Sequence, residues 1–397
     1  MREKFYIAAI TAANFLGCRR VLRLMEIFGT AKNIWEVDDI ELEKSGLPTS
    51  ALESLLDWRK KYPDCPEMVE EFCEKRSVGL CGIFDEDYPP LLKEIQTPPV
   101  CFYYRGNLQP SAERIAIVGS RNSTNYGTRV AFNLGEELAA AGVTVVSGAA
   151  RGIDTFAHRG ALKTGRTVAV LGCGINKVFP PENKGLIEEI AESGLVISEF
   201  SPNTQPSVST FPMRNRIIAG LSRGVVIVEA GEKSGALITA DQAADFSRDV
   251  FAVPGNIYSE SSFGCNKLIQ EGANLIKNAR DILEYYDVKI EPKIPERKNL
   301  FMPNDDEKPK KKFSAKKLPE KNISQPKLSD EPKKERAPLE GIFAKVFDVI
   351  PSGSYVVADE ILNSVDDISI DELQAVLLKL ELKDYIVEDS YRYTRAD

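Results

Sequence analysis

Apolar and polar positions change period along the chain, and the changes divide it. In the first eighty residues the spacing is helical. Val21, Leu22, Leu24, Met25, Ile27 and Phe28 form one stripe, which Gly29 ends. Val37 to Trp58 holds Leu42, then Gly46-Leu47-Pro48, then Leu52, Leu55 and Leu56. Helix, apolar-Gly-apolar turn and helix outline a helix-hairpin-helix unit, whose turn amides suit duplex phosphates. A small helical bundle used for packing or protein contact is the plainer reading, and the preferred one.

From about 114 to 286 the period alternates. Short β-branched runs predict strands at Ile115–Val118, Val143–Val146, Thr167–Leu171, Leu195–Ser198, Gly224–Val228 and Asp249–Val253. Amphipathic stretches between them predict helices at Thr128–Ala141, from Ile153, at Lys184–Glu192 and at Leu237–Ser247. Apolar strands alternating with helices imply an α/β fold, a doubly wound and mostly parallel sheet of Rossmann-like type covered on both faces. Its ligand site belongs at the carboxyl ends of the strands.

Periodicity is lost over 291–337, a lysine- and proline-rich segment that cannot bury enough surface to offset its ordering entropy. It reads as a flexible charged linker. Pattern returns at Ile342, Val346 and Ile350, then at Val357 to Leu362, Leu373 to Leu380, Tyr385 to Val387 and Tyr391 to Tyr393. Three helices and a β-hairpin outline a winged-helix-like domain, with Ile370–Leu382 in the recognition position. The expected organisation is a helical domain at 1–84, the Rossmann-like domain at 85–290, the linker at 291–337 and the winged-helix-like domain at 338–397.

Charge sharpens this division. The net charge is −8, yet 291–337 holds 14 basic and 9 acidic residues, while 338–397 holds 5 and 13. Lys379 and Lys383 stand among several acids, so phosphates would be repelled and the tail reads as a protein-contact module. No segment up to 290 is broadly basic. Any nucleic-acid site there is a local cluster placed by the fold.

Seven cysteines without a C-x-x-C pair and a single histidine, His158, make a zinc site improbable; reduced, mostly buried thiols are expected. No apolar run is long enough to cross a bilayer, so no membrane insertion is expected. Met1-Arg2-Glu3-Lys4 leads straight into helical pattern with no apolar core or cleavage site, and the cytoplasm is the expected compartment.

Candidate chemistry gathers after the strands. Gly119-Ser120-Arg121-Asn122-Ser123-Thr124-Asn125-Tyr126-Gly127 opens a helix, where free N–H groups suit an anion and Arg121 can grip phosphate or stack on a base. It is not G-x-G-x-x-G, and no acidic ribose anchor follows, so dinucleotide binding is disfavoured. The second strand ends in Ser147-Gly148-Ala149-Ala150-Arg151-Gly152-Ile153-Asp154, a second glycine- and arginine-bearing loop. His158 tempts a catalytic reading, but with no nucleophile beside it a packing or surface role is preferred.

The densest cluster is Phe211-Pro212-Met213-Arg214-Asn215-Arg216, read as a helix start after Pro212. Arg214 and Arg216 do not share a helical face, so one can grip phosphate while the other braces the loop. Phe211 precedes them and either stacks on a base or anchors the loop. Ser234 and Gly235 again suit phosphate at a helix start, but the Walker A spacing is absent and ATP hydrolysis is unsupported. Asn256, in Val253-Pro254-Gly255-Asn256, and Lys267, in Gly264-Cys265-Asn266-Lys267, complete the candidates.

Taken in order, these segments read GSRxxTxYG, SGxARGID, FPxRNRIIAGLS, VEAGxxSGxLxTA, VPGN and GxNxLIxxGA. The set resembles the DprA/Smf DNA-processing family over roughly 85–290. The resemblance implies an extended Rossmann fold without a catalytic role, cofactor or metal. It implies single-stranded DNA binding, homodimerisation and delivery of the strand to the RecA recombinase during natural transformation. It also implies that Gly119, Arg121 and the Arg214–Arg216 segment occupy the family's DNA-binding positions. The rival is a nucleotide phosphoribohydrolase of related core, which resembles PGGxGTxxE. The matching loop here reads EAGEKSGALITA, leaving only Glu229 and Glu232 as acid–base candidates.

Overall fold

The computed structural model describes residues 2–13, 16–109, 112–288 and 341–351, with scattered positions between 356 and 395. The expected linker at 291–337, together with Lys379 and Lys383, lies outside the described residues. The chain forms two compact units, Met1–Met302 and Pro303–Asp397.

The first unit begins with six helices: α1 (Glu3–Thr11), α2 (Cys18–Phe28), α3 (Ala31–Glu36), α4 (Asp39–Glu43), α5 (Thr49–Lys61) and α6 (Cys65–Arg76). Gly29 ends α2 at φ +79°, a backbone region that favours glycine. Thr30 and Asp38 cap α3 and α4 through their side-chain oxygens. Strand β1 (Gly79–Gly82), the short α7 (Pro90–Lys93) and β2 (Cys101–Gly106) follow. Ile7, Ile10, Leu24, Leu80 and Phe102 belong to one buried cluster, so these helices share a core with the sheet edge.

Strands and helices then alternate: β3 (Arg114–Val118), α8 (Asn125–Ala140), β4 (Thr144–Ser147), α9 (Ile153–Thr164), β5 (Thr167–Val170), α10 (Lys184–Ser193) and β6 (Leu195–Ser198). The series continues with α11 (Thr210–Gly220), β7 (Gly224–Ile227), α12 (Gly235–Asp245), β8 (Asp249–Ala252), α13 (Phe263–Gln270), β9 (Asn274–Leu275) and α14 (Ala279–Tyr285). The nine strands form one sheet in the order β1-β2-β6-β5-β4-β3-β7-β8-β9. β1 and β2 are antiparallel additions; the run from β6 to β9 is parallel. The chain winds outward from β3 through β4, β5 and β6, then returns to place β7 on β3's other side. The pleat splits the core: Ile115 and Ile117 bury on one face, Ala116 and Val118 on the other.

Three helices start earlier than their apolar pattern suggests, among them α12, which Ser234 caps at Gly235. α8 begins at Asn125 because the Thr124 hydroxyl accepts from Gly127 N at 3.2 Å and caps it. α11 begins at Thr210, with Pro212 inside its first turn, where a missing N–H costs nothing.

His158 lies fully buried on α9, its Nδ1 2.7 Å from the Thr167 hydroxyl. That hydroxyl donates to Val145 O at 2.8 Å, so it accepts from the imidazole. The other ring nitrogen, Nε2, is buried without a partner. Burial, and then Arg214, hold its pKa down at about 3. The unfolded chain therefore takes up a proton below its ordinary value of about 6.5 while the folded chain does not. Stability from this group is present above that value and is lost as pH falls toward 3. His158→Gln is expected to remove up to about 1.4 kcal/mol per pH unit of that dependence, measured as the difference in urea midpoints between the two proteins across the window.

All seven cysteines are unpaired, and burial pushes Cys81, Cys101 and Cys265 up to about 12. They sit as apolar residues, not as nucleophiles. No described helix is long and apolar enough to cross a membrane.

In the second unit the described residues include α15 (Ile342–Val349) and strands β10 (Val356–Val357), β11 (Ile386–Asp389) and β12 (Arg392–Arg395), paired in the order β10-β12-β11. Val346, Ile350, Leu373, Leu377, Leu380 and Ile386 share a separate buried cluster.

Candidate nucleic-acid interface

The site is assembled from the loops at the carboxyl ends of β3, β4 and β5. The loop after β3 is tied to the end of β7: Ser120 N donates to Glu229 O at 2.7 Å. Thr124 N donates to Glu229 Oε2 at 2.9 Å, and the Thr124 hydroxyl donates to the same carboxyl group. Glu229 is buried. Gly127 is required beside it, because a Cβ there would lie 2.3 Å from Glu229 Cδ. Glu229, one of the two acid–base candidates of the hydrolase reading, is thus engaged in holding this loop at the start of α8; the other, Glu232, is exposed and not among the residues lining the pocket.

The loop after β4 is fixed in the same manner. The Asp154 carboxyl accepts from Gly148 N at 3.1 Å and Ala150 N at 3.3 Å. Ile153 N donates to Ser120 O at 3.2 Å, which joins the two loops. Gly152, at φ +71°, allows that approach; a Cβ would stand 2.3 Å from Ser120 O.

Arg214 reaches into this framework from α11. Its Nη1 donates to Gly148 O at 2.5 Å and Val170 O at 2.6 Å, and the side chain is buried. Gly148 makes room for it, since a Cβ would meet Nη1 at 1.9 Å. Burial lowers the guanidinium to about 10, so it stays charged at neutral pH. Burial pushes the Asp154 carboxyl up, and Arg214 and the two loop amides oppose that shift.

Arg121 is exposed, and its guanidinium lies over the Phe211 ring, 4.7 Å from the centroid. Phe211 packs on Phe179 at 5.6 Å, against Gly172, where a Cβ would come within 2.7 Å of the ring. Together these groups border a pocket of about 70 Å³, whose lining includes Arg121, Arg151, Arg214, Phe179, Pro180 and Phe211. Gly148, Ala150, Gly172 and Cys173 complete the wall. The space is that of a few waters or a compact anion, and Arg121 is its exposed guanidinium without an ion pair among the described residues.

The candidates separate by position. Arg121, Gly148, Arg151, Phe211 and Arg214 line the pocket; Gly119, Ser120 and Gly152 build the adjoining backbone. Arg151 pairs with Glu182 at the surface. Arg216 turns away to bond Glu199 and Thr97 O, and burial pushes the Glu199 carboxyl up against the opposing pull of that arginine. Asn215 Nδ2 donates to Gly235 O at 3.4 Å.

Other candidates lie outside the pocket lining. Tyr126 donates to Pro254 O at 3.1 Å, and the Ser234 hydroxyl caps α12 by accepting from Ala236 N. Asn256 accepts from Tyr258 N at 2.9 Å, and Lys267 is exposed, 3.7 Å from Glu271. Gly172, Cys173, Phe179 and Pro180 were not among the candidates. The signal for the first two was present: Gly172-Cys173-Gly174 directly follows the predicted strand Thr167–Leu171.

A doubly wound, mostly parallel sheet with an arginine-bearing pocket above its strand ends defines the class, an α/β protein whose pocket lies where such sheets place their ligand sites. The particular family follows from sequence: the chain belongs to the DNA recombination-mediator protein A family, whose sequence model matches residues 79–287. Protein Smf of Synechocystis is 39% identical over 288 residues, covering 71% of this chain and 72% of that protein. DNA processing protein DprA of Bacillus subtilis is 42% identical over 226 residues, 56% of this chain and 76% of that protein. The X-ray structure of DNA processing protein A from Streptococcus pneumoniae superposes with a TM-score of 0.63 at 35% identity, over 72% of this chain and 98% of that one. These names describe DNA processing and recombination mediation, not a catalysed reaction.

Proposed function

We propose that this protein binds single-stranded DNA at the pocket above β3, β4 and β5, protects it, and passes it to the RecA recombinase for homologous recombination in natural transformation. The observation that carries this reading is Arg121, an exposed guanidinium with no ion pair among the described residues, pre-set across Phe211 at the mouth of an arginine-lined pocket. A phosphate entering there meets Arg121 directly, with the positive charge of Arg214 behind it. Phe211 serves chiefly to hold Arg121, with its remaining exposed edge available to a base. Gly119, Ser120, Gly148 and Gly152 supply the backbone of the site. Tyr126, Asn215, Arg216, Ser234, Gly235, Asn256 and Lys267 shape or flank the path beside it.

The protein works in the cytoplasm as a homodimer. The winged-helix-like tail and the helical domain at the N-terminus serve protein contact and packing. The family membership, together with the absence of a free acid–base pair among the described pocket residues, supports a binding protein over a hydrolase. Gel shifts with single- and double-stranded oligonucleotides, with nuclease and nucleosidase assays on the same sample, test the reading. Preferential retention of the single strand with no product is expected. Equal duplex binding, or release of free base, would overturn it.

A further inference from the structure

Glycines bring α8 and α9 unusually close. A Cβ on Gly135 would stand 2.3 Å from Ala157 O, and one on Gly160 would stand 2.0 Å from Phe132 O. With the backbones in contact, the side chains flanking the seam are pushed outward. They frame an open surface groove lined by Asn125, Thr128, Arg129, Phe132, Asn133 and Phe156. Arg159 extends it, its guanidinium 5.5 Å from the Phe156 ring centroid. Arg129 and Arg159 are both exposed, and neither forms an ion pair among the described residues. No acidic residue is among those lining the groove.

Two half-buried aromatic rings beside two unpaired guanidiniums match the chemistry of a single nucleic-acid strand: stacking faces for bases and cations for phosphates. The groove starts at the same end of the sheet as the pocket. α8 starts directly after the loop bearing Arg121, and Phe156 lies one helical turn beyond Gly152, which touches that loop.

We propose that the α8–α9 groove, through Arg129, Arg159, Phe132 and Phe156, is a second binding region that receives the single strand as it leaves the arginine pocket. This extension rests on the single-strand reading given above. It makes affinity depend on strand length: a short strand fills the pocket alone, and a longer one reaches the groove.

The test compares the full chain with the Arg129→Glu/Arg159→Glu double variant and with Phe156→Leu, on oligothymidines of about 4 and about 16 nucleotides, the span of common single-strand site sizes. Both arginines are exposed, so melting is expected to be unchanged in the double variant. That variant should lose about ten-fold or more on the longer strand, keep its affinity for the shorter one, and lower the longer strand's salt slope by about 1.4, because two phosphates are no longer neutralised. Phe156→Leu, which preserves apolar packing, should lose about five-fold on the longer strand only. Unchanged binding of the longer strand, or equal losses at both lengths, would overturn the groove assignment while leaving the pocket intact. A wild-type protein that binds neither length would remove the underlying reading as well.

Discussion

Arg214→Glu is expected to destabilise the first unit by about 3–5 kcal/mol, because it replaces a buried cation by an anion among acceptors. The guanidinium now satisfies the carbonyls of Gly148 and Val170 and offsets the buried Asp154 carboxyl. With glutamate there, both carbonyls lose their donor and Asp154 faces a second carboxyl. For a unit of this size the loss corresponds to roughly 10 °C in melting temperature. DNA affinity falls with it, since the loop after β4 loses its brace. A charge reversal at this position thus cannot serve as a clean probe of phosphate binding. The check is a thermal melt of the variant beside wild type; an unchanged midpoint would show that Arg214 is not the buried brace described above.

Glu229→Ala is expected to cost about 2–4 kcal/mol, combining unmade hydrogen bonds with the loss of a carboxyl near a helix N-terminus. Thr124 N and the Thr124 hydroxyl both lose their acceptor, and the Arg121 loop keeps only its backbone tie, Ser120 N to the carbonyl of residue 229. Glu229→Gln retains one acceptor oxygen, so it should restore much of the melting temperature and most of the DNA affinity. A glutamate acting as general acid or base behaves differently, because the amide abolishes its chemistry whatever the stability. Melting and binding measured on both variants distinguish these roles: Gln failing as badly as Ala in binding, with normal melting, would contradict the structural role.

Much of this was legible in the sequence, and the gaps have physical reasons. The parallel sheet followed from β-branched runs such as Ile115–Val118, because strands buried on both faces are apolar throughout. The loops at the strand ends followed from their glycines. The inward turn of Arg214 also left a signal: it shares a helical stripe with Ile217, Ile218 and Leu221, all buried. Its charge drew attention to phosphate and away from that stripe. His158 similarly falls on the face of α9 that buries Asp154 and Ala161. The Glu229–Thr124 bond was not legible, for the two residues are 105 apart and only the sheet order joins β3 to β7. The division between Arg121 and Arg216 was equally hidden, since it depends on where Glu199 and Thr97 come to lie.

The central claim is that Arg121 meets a DNA phosphate, and the dependence of single-strand affinity on salt tests it most directly. Its guanidinium is exposed and holds no structural hydrogen bond among the described residues, so Arg121→Glu should melt as wild type does. Affinity for an oligothymidine should fall by about ten-fold or more at moderate salt. The slope of log affinity against log salt should flatten by about 0.7, the share of a single neutralised phosphate. A slope equal to that of wild type, with affinity preserved, would contradict the account.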